Sequence, residues 1–282
     1  MQEVQALHGL VPLLSTQAGS CLTYANWQDA HTKMVSYRIA DLLMKPGLSF
    51  LHNLADIRSY CTWPGSIVLN AVLLPPNADD TYTIRSIYDG SLIQVDVSTL
   101  FELINKLRPD KVILPQASIN YFTNFWQNLS PDIMPYFHVS ENPGYAPHKI
   151  GRYVVFDPQL PFSLLVDQIN SSAEPLYIKG DFNLIEMAQL ASCKKHLIES
   201  DRPAKDGLEG IVYSREGQLN IVDKDKRDEH FVIDESCQCN TCKSNLTRAY
   251  LHHLLEHTPL LAQRYLIQHN IYYCQTHLHA HL

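Results

Sequence analysis

Three cysteines within six residues, Cys237-Gln238-Cys239-Asn240-Thr241-Cys242, constrain this chain more than any other feature. Residues 1–14 show no basic segment followed by a long apolar run, so no export signal is read and a cytoplasmic protein is expected. In such a chain the clustering reads as metal binding rather than as a disulfide framework. A fourth ligand is available further on. Thr258-Pro259 make a good helix start, and Leu261, Tyr265 and His269 then fall at i, i+4 and i+8 on one face. Three thiolates and one imidazole complete a tetrahedral set for Zn2+, which leaves no open position for a reacting water. The site is therefore expected to be structural, with one zinc per chain contributing folding energy directly. Three free cysteines in a loop are the competing reading, disfavoured by their rarity at this density. Cys21, Cys61 and Cys193 read as small buried apolar groups.

Composition sets the outer limits. The chain has 282 residues, 45% hydrophobic and 18% charged, which is enough apolar material for a sizeable core and too much for wholesale disorder. That length suits one large domain, or one with a small appendage. No apolar run reaches the roughly 18–20 residues that cross a bilayer. The formal net charge is −7, so a polynucleotide partner would have to be held by a local basic patch.

Short β-branched runs alternate with helix-like stretches. Strands are expected at 66–70, 111–114, 153–156, 176–179, 210–213 and 219–222, and helices at 97–107, 162–169, 183–192 and 247–256. The alternation predicts parallel βαβ units and an α/β class, either a barrel or an open sheet. Around Ser214-Arg215-Glu216-Gly217 two strands read instead as an antiparallel hairpin. The expected organisation is a barrel core over 1–209, followed by the hairpin and a zinc-binding helical subdomain over 210–282.

The cysteine loop, then Thr247-Arg248-Ala249-Tyr250-Leu251-His252-His253-Leu254, then Gln268-His269-Asn270, resembles the zinc subdomain of the tRNA-guanine transglycosylases, the queuine or prequeuosine tRNA-ribosyltransferases. Upstream, Lys45-Pro46-Gly47, Leu51-His52-Asn53-Leu54-Ala55-Asp56-Ile57-Arg58, Trp63-Pro64-Gly65 and Ala204-Lys205-Asp206-Gly207 resemble further segments, so the likeness reaches over most of the chain. It implies an irregular (β/α)8 TIM-like barrel with a zinc-bearing insertion. It also implies exchange of guanine 34 of tRNA for a 7-deazaguanine, with one aspartate as nucleophile, a second moving protons and a third recognising the base. Too little sequence lies between Gln116 and Lys179 for a full set of units, so a shortened or opened barrel is expected.

The acids that this chemistry requires are replaced. Asn70 stands where the resemblance implies the proton-shuttling aspartate, and an amide exchanges no proton near neutral pH. Gln116 falls near the base-recognition position and Gly180 in the reduced loop that covers the base. Counting back from Ala204 places His196 at the nucleophile position. Glu199 or Asp201, a few residues on, is the fallback nucleophile, with Glu199 preferred because it follows the apolar pair Leu197-Ile198; the alternative is that both are solvated loop acids. Arg202, Lys205, Lys243 and Arg248 are the expected phosphate contacts to tRNA, although Arg248 could instead cap the subdomain. His253 and His257, at i and i+4, and the tail histidines His277, His279 and His281 read as surface histidines first and metal ligands second.

The leading expectation is a transglycosylase-like zinc protein that binds tRNA or a partner with base exchange impaired or lost. It would be a homodimer, or a heterodimer with a catalytic paralogue, and would not associate with membrane. The rivals are an active queuine tRNA-ribosyltransferase and a protein-interaction module without RNA binding.

Overall fold

The computed structural model describes residues 9–116, 126–143, 149–192 and 196–277. Among them the strands are β1 (Gly9–Val11), β2 (Met34–Arg38), β3 (Ser66–Asn70), β4 (Thr81–Arg85), β5 (Leu92–Asp96) and β6 (Lys111–Ile113). There follow β7 (Met134–His138), β8 (Gly151–Val155), β9 (Leu176–Lys179), β10 (Leu197–Glu199), β11 (Ile211–Ser214) and β12 (Gly217–Asn220). Contacts divide the chain into two units. The first is Met34–Val155 with Glu174–Ile178, and the second takes the rest of the chain.

In the first unit the strand order runs β9-β8-β7-β6-β3-β2, and β2/β3, β3/β6, β6/β7 and β7/β8 all pair in parallel. Ile67, Val68 and Leu69 of β3 are all buried, the continuous apolar pattern of a strand covered on both faces. The Val97–Leu107 helix starts where the Asp96 carboxylate accepts from the Thr99 amide at 2.8 Å. It buries Val97, Leu100, Phe101, Leu103, Ile104 and Leu107 on one stripe and stops at Arg108, whose φ of 50° is left-handed. β4 and β5 form a separate antiparallel hairpin, which the sequence pattern did not signal.

In the second unit β1 pairs in parallel with β10, Val11 opposite Glu199. β11 and β12 form the expected hairpin, with Ser214 opposite Gly217 and Arg215-Glu216 as its turn. The fold is thus of the expected α/β class, with eight strands in the main sheet order of an incomplete barrel and a helical segment that carries the cysteines. No helix among the described residues is long and apolar enough to cross a membrane.

The terminal helix spans Pro259–Thr276, with Pro at its first turn as expected. Thr258 does not cap it through its side chain; its hydroxyl donates back to the Leu254 carbonyl at 3.4 Å. Residues 266–274 are buried all round the helix, so no amphipathic stripe marks this half. The Arg202–Leu208 helix presses on it so closely that a Cβ at Gly207 would lie 2.7 Å from the Ile267 nitrogen. Cys21 and Cys61 are half-buried rather than buried, and Cys193 lies outside the described residues.

Candidate metal centre

Cys239 is the N-cap of a short helix, Asn240–Lys243, and accepts the Cys242 amide at 3.4 Å through its sulfur. This turn aims the Cys239 and Cys242 sulfurs the same way, and Cys237 joins them from the preceding loop. The second half of the terminal helix brings His269 to the same point. His269 Nδ1 lies 3.7, 3.3 and 3.5 Å from the sulfurs of Cys237, Cys239 and Cys242. All four donor atoms lie within 4.8 Å of one another, and all four residues are buried, His269 completely.

Two further observations test the fit to a cation. His269 Nε2 lies 2.7 Å from the Tyr213 carbonyl, an acceptor only, so Nε2 carries a proton and Nδ1 is the nitrogen left to face the sulfurs, where it would offer its lone pair to a bound cation. Hydrogen bonding also couples the four groups to one another. Burial alone would lower His269, but hydrogen bonds with Cys239 and Cys242 outweigh it and push the ring up to about 10. Hydrogen bonds from Cys237 and Cys242 hold Cys239 far below the usual thiol range, while the bond to Cys239 pushes Cys237 up. One divalent cation would supply the charge that these shared protons otherwise provide. Three sulfurs and one nitrogen at tetrahedral reach suit Zn2+ and leave it no open position. Thr241 adds a second stitch between the short and terminal helices, donating to the Tyr265 carbonyl at 2.9 Å.

A second group of residues gathers at the carboxyl ends of β9 and β10. Glu199 ends β10 and is 1% exposed; the Gly180 amide, just past β9, donates to the Glu199 carbonyl at 3.1 Å. Asp201, also buried, accepts from the Thr16 hydroxyl at 2.8 Å. The reading of these two acids as solvated loop residues is therefore overturned. His196 precedes β10, at the strand's amino end. Glu199 thus stands at the carboxyl end of β10 and His196 at its amino end.

Residues 163–280 match the family model described as queuine tRNA-ribosyltransferase. Over that segment the chain is similar to that family. A queuine tRNA-ribosyltransferase of Clostridium perfringens is 41% identical over 103 residues, which cover 36% of this chain and 26% of the relative. Its counterpart in Clostridium acetobutylicum is 31% identical over 103 residues, covering 36% and 27%. That of Lawsonia intracellularis is 30% identical over 133 residues, covering 46% and 35%. The aligned part thus spans about a third or less of each relative. The likeness expected over most of the chain is narrower in the family match, which leaves out the segments around Lys45, Leu51 and Trp63.

The remaining positions expected from the sequence resemblance fall as follows. Asn70 ends β3 in the first unit, buried, with its side-chain oxygen accepting the Val72 amide at 3.2 Å. Gln116 is exposed in the turn after β6 of the same unit. Gly180 lies in the second unit, and a Cβ there would meet the Phe182 ring at 2.5 Å, so the aromatic packing of Phe156, Phe162 and Phe182 fills the space a side chain would take.

The cations divide into two kinds. Arg248 is 9% exposed; its guanidinium binds Glu229 at 2.8 Å and the Ile233 carbonyl at 2.9 Å, and covers the Phe231 ring. These contacts engage the guanidinium within the chain. Lys243 is exposed, and Lys205 pairs loosely with Asp181 at 3.8 Å. Arg202 is held through Nε by Asp206 at 2.6 Å, and the buried Asp206 is held in turn by the Tyr213 hydroxyl at 2.7 Å. Sequence reasoning missed Tyr213 and Asn270 as supports of this region. Their only sequence signal was a polar residue next to a ligand and a tyrosine inside a hairpin strand.

Proposed function

We propose that the chain is a zinc-stapled, tRNA-binding member of the queuine tRNA-ribosyltransferase family in which base exchange is impaired. The observation that carries this reading is Asn70. It ends β3 with a buried amide engaged in a local turn, and the sequence resemblance implies at that position a carboxyl group that can take and return a proton. Arg202, Lys205 and Lys243 are the cations offered to phosphate, with Arg202 oriented by Asp206. The zinc centre is structural, one ion held by Cys237, Cys239, Cys242 and His269. Pairing with a second copy or with a catalytic paralogue, in the cytoplasm, completes the proposal.

A second reading has its own support. Glu199 is a buried carboxylate at the carboxyl end of a parallel strand, beside Gly180, and could serve as the nucleophile on ribose C1′. Asp201 is the second choice, because it lies two residues beyond the end of β10.

Incubation with tRNA carrying guanosine at the wobble position and labelled guanine tests both readings. The first expects no incorporation, together with a gel shift that weakens steeply with salt and in the Arg202→Ala and Lys243→Ala variants. Incorporation abolished by Glu199→Ala would replace the first reading with the second. Absence of any tRNA shift would remove RNA binding.

A further inference from the structure

The Arg248–His257 helix turns its histidines in two directions. His252 points inward, 4% exposed, with Nδ1 on the Ile221 carbonyl at 2.8 Å. Its Nε2 lies 3.5 Å from Glu256. His253 and His257 are exposed on the opposite stripe together with Tyr250. One helical turn apart, their rings have centroids 4.4 Å from each other at an interplanar angle of 50°. Two imidazoles at i and i+4 on a formed helix can hold one ion between them without moving the backbone, so the second ligand binds as an intramolecular step. His257 stands in the last turn of the helix, where the helix dipole favours a cation.

We propose that His253 and His257 form a second metal site, separate from the buried cysteine centre, that takes a single borderline divalent transition ion such as Ni2+ or Cu2+. Imidazole ligands suit these ions, and their affinity order places both above the earlier first-row divalent metals. With two protein ligands the site keeps water in its remaining positions, binds more weakly than the four-ligand centre, and exchanges its ion freely with solvent. It does not depend on the functional reading above.

Calorimetric titration of the zinc-loaded full chain with Ni2+ tests the site. The His279→Ala/His281→Ala background removes imidazoles of the chain end from the count. One Ni2+ per chain is expected there. His257→Ala and, independently, His253→Asn should each weaken it by at least ~10-fold while the zinc content stays at one per chain. Circular dichroism establishes that each variant keeps its helix. Ni2+ binding that is the same in both variants and in the parent background, or no Ni2+ binding in that background, would overturn the proposal.

Discussion

His269 donates through Nε2 to the Tyr213 carbonyl, 2.7 Å away, and this bond sets which nitrogen faces the sulfurs. The terminal helix and the β11–β12 hairpin are thereby fixed to each other by the histidine of the Cys3His cluster. Asn270, the next residue, repeats the connection. Its side chain accepts the Tyr213 amide at 3.1 Å and donates to the Pro203 and Ile211 carbonyls at 3.0 and 2.9 Å.

Metal and fold should be lost together. Cys239→Ala removes one ligand and leaves two buried sulfurs and an imidazole without their charge balance. We expect zinc content to fall from one per chain to near zero and stability to drop by about 3–5 kcal/mol, the range for breaking a buried charged set. Elemental analysis alongside urea denaturation checks this. A zinc-free Cys239→Ala protein as stable as the parent would remove the structural role.

Asn270→Asp is nearly isosteric but reverses the chemistry of two bonds. The amide donates to two carbonyls, and a carboxylate would set negative charge against both. Destabilisation of about 2–4 kcal/mol is expected, from two lost donors in a buried site. Asn270→Ala should cost less than Asn270→Asp, because it buries no charge. Comparison of the two urea midpoints decides the order.

Asp96 gives one pH-dependent contribution with a known sign. Hydrogen bonds from Ser98 and Thr99 lower its carboxyl to about 2. The group is depressed in the folded state, so its stabilisation is fully present above the unfolded value near ~3.9 and is lost as pH falls towards about 2. Asp96 is exposed, which limits the effect to about 1 kcal/mol, the usual value of a helix cap. Asp96→Ala should lower stability by that amount at neutral pH, and the difference from the parent should shrink below pH ~3.9 and vanish only as pH falls below about 2.

Asn70→Asp tests the proposed loss of the proton shuttle. An aspartate can still accept the Val72 amide, so the local turn survives the change. If the missing acid limits exchange and Glu199 is competent, labelled-guanine incorporation should rise by roughly 100-fold or more over the parent, the usual scale of general acid–base catalysis. No rise, with tRNA binding intact, would place the defect elsewhere.

The metal centre was legible from sequence because its information is local. Cys237, Cys239 and Cys242 are close in the chain, and one helical period carries the fourth ligand to the right face. The Val97–Leu107 helix was legible for the same reason: a capping aspartate and an unbroken apolar stripe. Three-residue strands such as β1 and β10 carry too little pattern to be recognised alone and exist through their pairing, Leu10 opposite Ile198 and Val11 opposite Glu199. Folding alone decided that Glu199 is interior and ends its strand while His196 begins it, and that Arg248 is an anchor. Burial depends on which distant segment arrives to cover a side chain, and a charge reads the same in sequence whether it meets solvent or a partner such as Glu229.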